Sequence, residues 1–252
     1  MDKIKRIARQ FWQASLFLLL TTAFLFLSML PSALAKRYFP LLYQRWSACF
    51  FGIFGIAENI HPMNTYPIPE KFILISNHPS GIELVWLPAR FKVIPLAKAE
   101  IRDWFLLGRI IQAIGAVFVD RKDRASRQGA AKGLFQAVEA GKNPLIFPEG
   151  GCYGKDLNPF FKGAFHLAKQ TGRPILPVYL HYEEEDSYEW GDYGLLKFMR
   201  RALFIPHNRN AHLYIFDPVN PDSFETEEQL QEHLYSFYLQ QQSIYRKKNA
   251  TA

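Results

Sequence analysis

The chain has 252 residues, is 49% hydrophobic and 21% charged, and carries a formal net charge of +7. Its length and apolar content exclude a disordered chain and a disulfide-stapled miniprotein, and its two cysteines, Cys49 and Cys152, fit a reducing compartment. The positive balance favours anionic partners such as phosphates or lipid headgroups. Nucleic acid is not expected, because no recognition motif accompanies the charge.

Lys3, Lys5, Arg6 and Arg9 precede a run without charge over residues 11–35. A spanning helix needs about 20 apolar residues, and this run, ended by Pro31, is borderline in length for an anchor that enters or crosses a bilayer. Ala33-Leu34-Ala35 also suits a signal-peptide cleavage site, which would leave an exported lipid-binding module. A buried core helix is the third reading, and apolarity on every face speaks against it. Lys36, Arg37 and Arg45 follow, among the aromatics of residues 38–60. Arginine mixed with aromatics suits the headgroup boundary. The division expected is two membrane-anchoring helices over 1–60 and an α/β domain over 61–252.

The β-favouring stretch 72–76 reads as a buried strand that ends in Asn77-His78-Pro79-Ser80-Gly81, a run of turn formers. A histidine there lies at a strand's carboxyl end, where α/β sheets hold their ligands. Five residues on stands Glu83. A carboxylate that orients a histidine makes it a general base, and no serine or cysteine nucleophile is needed when the substrate's own hydroxyl attacks. Alone, the pair suits a surface hydrogen bond better than a catalytic role.

Further on, 84–91 reads as a helix, 92–96 as a strand, 100–114 as a helix and 116–119 as a short strand. That strand runs into Asp120-Arg121-Lys122, where a guanidinium can grip a phosphate or simply be solvated. A helix over 124–140 and a strand over 144–147 lead to Glu149-Gly150-Gly151, where glycines permit close approach of backbone to a ligand. A helix over 161–170 with Gly172 as cap, a strand over 175–180, a polar excursion over 182–193, a strand over 212–216 and a helix opened by Thr226 complete the chain. Strands alternating with helices predict an α/β fold, a largely parallel central sheet flanked by helices, with the N-terminal membrane-associated two-helix segment added.

Three strand-end loops in this order resemble the glycerolipid acyltransferase family, which contains the bacterial 1-acylglycerol-3-phosphate acyltransferases. The resemblance rests on Ser76-Asn77-His78-Pro79-Ser80-Gly81-Ile82-Glu83, on Lys98 and Gly108 with Gly115-Ala116-Val117-Phe118-Val119-Asp120-Arg121, on Phe147-Pro148-Glu149-Gly150, and on Pro174-Ile175-Leu176-Pro177-Val178. It implies transfer of an acyl chain from acyl-CoA or acyl-carrier protein to a lysophospholipid hydroxyl, at the cytoplasmic face of a membrane, without an acyl-enzyme, cofactor or metal. His78 and Glu83 become the catalytic dyad. Arg121 and Lys98 hold an anionic headgroup, Glu149 meets the acceptor's hydroxyls, the Gly150-Gly151 amides face the oxyanion, and Asn77, Ser80 and Lys162 complete the substrate contacts.

The chain departs from the family twice. Glu83 stands where aspartate is usual, and Gly151-Cys152 replaces a threonine-arginine pair whose arginine holds phosphate. Lys155 or Lys162 are candidates to replace that arginine. A glycolipid or amino-acid lipid acceptor is the alternative the second departure raises. A hydrolase directing the same histidine at water is a third reading.

Overall fold

The computed structural model describes residues 3–28, 32–104, 107–152, 156–188, 197, 200, 201 and 209–250. Lys155 and residues 189–193 of the polar excursion therefore lie outside the described residues. The fold is mixed α/β and, among the described residues, its strands pair mostly in parallel, as the alternation of elements predicts. The chain forms two compact units, one from Met1–Ile56 and Leu84–Gly133, the other from Ala57–Glu83 and Leu134–Ala252.

The first unit opens with α1 (Lys3–Ser28) and α2 (Ser32–Phe54). Stretch Ile7–Leu27 of α1 is long and apolar enough to cross a membrane by length and composition. One face of α1 meets α2 through aromatic rings: Phe17 stacks on Trp46 at 5.0 Å, and Phe24 stacks on Phe39 at 5.6 Å. The indole of Trp46 donates to Thr21 Oγ1 at 2.9 Å, so the polar atoms in this seam are paired. The opposite face leaves Phe11, Trp12, Leu18, Leu19 and Phe26 exposed. α2 then docks on α3 (Glu83–Phe91), where Tyr43 and Ser47 hydroxyls donate to the Leu84 and Val85 carbonyls.

Past α3, Lys92 takes a left-handed φ of 54°, and the parallel strands β3 (Ile94–Lys98) and β4 (Val117–Val119) follow, with Lys98 opposite Val119. Strand β3 thus starts two residues later than its hydrophobicity suggests, because the chain must first turn out of α3. The helix expected over 100–114 is a 3₁₀ turn at Ala99–Asp103 and a separate α4 (Leu107–Ala113). Gly108 makes that break possible: a Cβ there has no room against the Arg102 carbonyl. α5 (Arg124–Glu139) leads out of this unit.

The second unit holds strands β1 (Ala57–Pro62), β2 (Ile73–Ser76), β5 (Pro144–Ile146), β6 (Ile175–Tyr182) and β7 (Asn210–Ile215) in the order β1-β7-β6-β2-β5. Only β6 and β7 are antiparallel. Strand β1, polar and at the edge, carries none of the apolar signal that marks β2, and its first four residues fall within the stretch read from sequence as helical. β2 lies between β5 and β6 with all four residues buried, as expected of a strand covered on both faces. Helices α6 (Gly163–Thr171), α7 (Glu185–Tyr188) and α8 (Glu227–Ala250) complete the unit. Gly172 closes α6 in the left-handed conformation predicted for it. From α8, the Tyr238 hydroxyl reaches both the Ile75 carbonyl of β2, at 2.9 Å, and the Val178 carbonyl of β6, at 2.8 Å.

Candidate active site

Everything at the carboxyl end of β2 serves to hold one imidazole. Asn77 begins the turn by copying a strand pairing with its side chain. Its Nδ2 donates to the Leu180 carbonyl and its Oδ1 accepts the Leu180 amide, both at 2.8 Å. The next amide, that of His78, donates to Glu149 Oε1 at 2.8 Å. The His78 ring stacks on Phe147 with centroids 3.8 Å apart and planes at 13°. Backbone, ring plane and rotamer are thus fixed by three different neighbours.

His78 Nδ1 lies 3.0 Å from Glu83 Oε2, with 14% of the histidine side chain exposed and none of the glutamate's. Glu83 opens α3, where a negative charge also suits the helix's N-terminal dipole. The longer arm of glutamate is accommodated by further donors. Ser80 N reaches Oε2 at 3.2 Å, and the Tyr182 hydroxyl reaches Oε1 at 2.8 Å. Burial pushes the Glu83 carboxyl up, opposed by the hydrogen bonds from His78 and Tyr182. With Tyr182 and Ser80 both donating to this carboxylate, Nδ1 is the third donor, and the Nε2 lone pair is left to accept a proton.

Glu149 is nearly as buried, and both its oxygens already serve the protein. Oε1 takes the His78 amide, and Oε2 takes the Asn158 amide at 2.9 Å. Burial raises this carboxyl as well, against the hydrogen bonds from Asn158 and His78. The structure thus gives Glu149 a positioning task between two loops, where the sequence suggested a contact to the acceptor. Asn77 needs the same correction, since its amide is committed to Leu180, and so does Ser80, which is fully buried. Gly150 adopts a φ of 79°, which favours glycine, and its amide donates to the Phe147 carbonyl at 3.0 Å, so it does not face an oxyanion. Lys162 is exposed and paired with Glu228 at the start of α8. Gly151 and Cys152 follow in the same loop, with the Cys152 thiol donating to the Ser80 carbonyl at 3.1 Å.

The other basic candidates belong to the first unit. Lys98 ends β3 and is exposed, its Nζ 3.4 Å from Glu100 Oε1. Arg121 follows β4, so the register brings both residues to the same ends of paired strands. Asp123 caps α5, accepting the Ser126 amide at 2.7 Å, and Arg127 donates to the Arg121 carbonyl at 2.6 Å. That loop's backbone is fixed while the Arg121 side chain stays half-exposed. Sequence reasoning missed Tyr182, Phe147 and Asn158 as supports of the dyad. Tyr182 is 99 residues from its partner Glu83, and only its place at the end of a strand neighbouring β2 hints at the contact.

The site is therefore a histidine paired with a buried carboxylate at the end of an interior strand. The family model described as Acyltransferase matches residues 57–181, which span both members of the dyad and Glu149. The chain carries a domain of the Acyltransferase family. Among curated proteins it is 30% identical over 118 residues to a 1-acyl-sn-glycerol-3-phosphate acyltransferase of Neisseria gonorrhoeae, covering 46% of each chain. It is 29% identical over 132 residues to the human 1-acyl-sn-glycerol-3-phosphate acyltransferase alpha, covering 50% of this chain and 46% of the other. A lyso-ornithine lipid O-acyltransferase of Pseudomonas aeruginosa is 28% identical over 156 residues, 60% of each. The chain spans about half the length of the first two. The crystal structure of the 1-acyl-sn-glycerophosphate acyltransferase PlsC from Thermotoga maritima shares the fold, with a TM-score of 0.66 at 22% identity over 98% of both chains.

Proposed function

We propose that the protein is a membrane-associated acyltransferase that moves a fatty acyl chain from an acyl-CoA or acyl-carrier-protein thioester to the hydroxyl of a lysophospholipid. The observation that carries this reading is the buried His78–Glu83 contact, which leaves Nε2 as the base. Nε2 takes the proton of the acceptor hydroxyl as its oxygen attacks the thioester carbonyl. The tetrahedral intermediate collapses, the carbon–sulfur bond breaks, and the imidazolium returns its proton to the departing thiolate. Glu83 stabilises the imidazolium throughout. With the Gly150 amide engaged, the Gly151 amide is the oxyanion donor of this pair. Neither a metal nor a cofactor takes part.

The two N-terminal helices serve as the membrane anchor, with the domain on the cytoplasmic face where thioester donors are found. The aromatic seam supports retention of α1: cutting the chain after Ala35 would strip Phe39 and Trp46 of their partners Phe24 and Phe17. N-terminal sequencing of the native protein tests this, and a chain starting at Lys36 would reject the anchor.

A second reading concerns the acceptor and has its own support. Cys152 stands where the family places a phosphate-binding arginine, and the Pseudomonas aeruginosa relative, matched over 60% of each chain, acts, by its name, on a lyso-ornithine lipid. An amino-acid lipid is therefore the rival acceptor to lysophosphatidate. Purified protein supplied with one thioester donor and each lysolipid in turn separates them by product mass. Acylation of neither, with thioester consumed all the same, would favour the hydrolase reading.

A further inference from the structure

We propose that Cys152, His78 and Glu83 form an inhibitory site for a thiophilic divalent cation, zinc being the best match. Among the described residues these three offer one ring nitrogen, one carboxylate oxygen and one sulfur, all within 4.8 Å of one another. A tetrahedral zinc site with bonds of about 2.0–2.3 Å sets its ligand atoms roughly 3.3–3.7 Å apart, so modest side-chain rotation closes this group on an ion. Nδ1 and Oε2 are already 3.0 Å apart. The group is unlike an exposed cluster of acids, because its carboxylate is fully buried. It also has the outer support that fixes metal ligands: Tyr182 and Ser80 hold Glu83. A cysteine, a histidine and a glutamate leave one tetrahedral position open and suit zinc over magnesium or calcium, which take oxygen ligands.

The consequence rests on the proposed base. On binding, the Cys152 thiol loses its proton to solvent and the sulfur becomes a thiolate ligand. An ion on Nε2 occupies the lone pair that accepts the substrate's proton. An ion on Nδ1 forces the remaining ring proton onto Nε2, with the same result. The cysteine thus adds a control that an arginine at this position does not permit.

Purified full-length protein titrated with cobalt(II) as a spectroscopic probe tests the site directly. One equivalent should bind with a thiolate-to-cobalt charge-transfer band, and zinc should displace it. Cys152→Ser should abolish the band and weaken zinc binding, measured by competition with a chromophoric chelator, at least about tenfold. In assays freed of metal by chelator, Cys152→Ser should keep its activity, and then resist zinc concentrations that stop the parent protein. Cobalt binding without a thiolate band, or equal zinc inhibition of parent and variant, overturns the proposal. A protein that shows the band but no acyl transfer overturns the proposed function and leaves the metal site standing.

Discussion

The loop after β2 and the loop after β4 both end a strand with a residue of functional type, and they are built on opposite plans. In the first, His78 and Glu83 are enclosed: Glu149, Phe147, Tyr182 and Ser80 each hold a different atom or face of the pair, and Asn77 ties the turn to Leu180. In the second, Asp120, Asp123 and Arg127 hold backbone groups of the loop, and Arg121 is half-exposed. A proton transfer is sensitive to displacements of a fraction of an ångström, whereas attraction between a guanidinium and an anion tolerates more. The enclosed loop is thus the one that holds the histidine and its carboxylate, and the half-exposed loop the one that holds the guanidinium.

This contrast can be broken, most severely at the base itself. His78→Ala should cut kcat by at least about a hundredfold with an unchanged circular dichroism spectrum. Near-normal turnover would remove the base from the site. Next in size, Arg121→Ala should raise KM for an anionic acceptor by about ten- to a hundredfold, the cost of one charge-assisted hydrogen bond, while kcat and the urea midpoint hold. A fall in stability would show that the second loop is as tightly built as the first. Glu149→Ala should destabilise the fold by about 1–3 kcal/mol, because the His78 and Asn158 amides lose a buried acceptor. If Glu149 instead served the acceptor lipid alone, KM would rise and the urea midpoint would stay.

The smallest effect sharpens the comparison most. Tyr182→Phe removes a hydrogen bond that helps to hold the buried Glu83 ionised. Turnover should fall roughly 2- to 10-fold. Because the lost bond lowers the Glu83 pKa, its removal raises that pKa further, and the acidic limb of the rate profile should move to higher pH. A purely structural Tyr182 would lower activity equally at every pH.

Residue types were legible in the sequence where one local pattern determines them. The run at 72–76, apolar on both faces, could only be an interior strand, and the turn formers after it place His78 at its end. Glycine at 172 announced the end of α6. The edge strand β1 was hidden because a strand with one neighbour needs little apolar sequence. The break between the 3₁₀ turn and α4 was hidden because helical spacing of apolar residues survives a kink. At the site, motifs name the residues but do not say which lone pairs are already taken. Glu149 and Asn77 are polar residues in a ligand-binding motif, yet each satisfies backbone groups brought beside it by distant segments, Leu180 lying 103 residues from Asn77. Such assignments become readable only when the sheet order is known.

The hydroxyl of Tyr238 has a bearing on how the chain is made. It reaches the Ile75 carbonyl, 163 residues earlier, on the strand that leads to His78. At a translation rate of about 5–20 residues per second, that strand leaves the ribosome roughly 8–30 s before its partner exists. Throughout this interval β2 lacks the contact that α8 later supplies, and an apolar strand awaiting cover is open to pairing with other chains. Meanwhile α1 has long been free to enter a bilayer. In the proposed anchored form, tethering the nascent chain while its central strand is still incomplete would keep copies apart, which would give the N-terminal helices a task during synthesis as well.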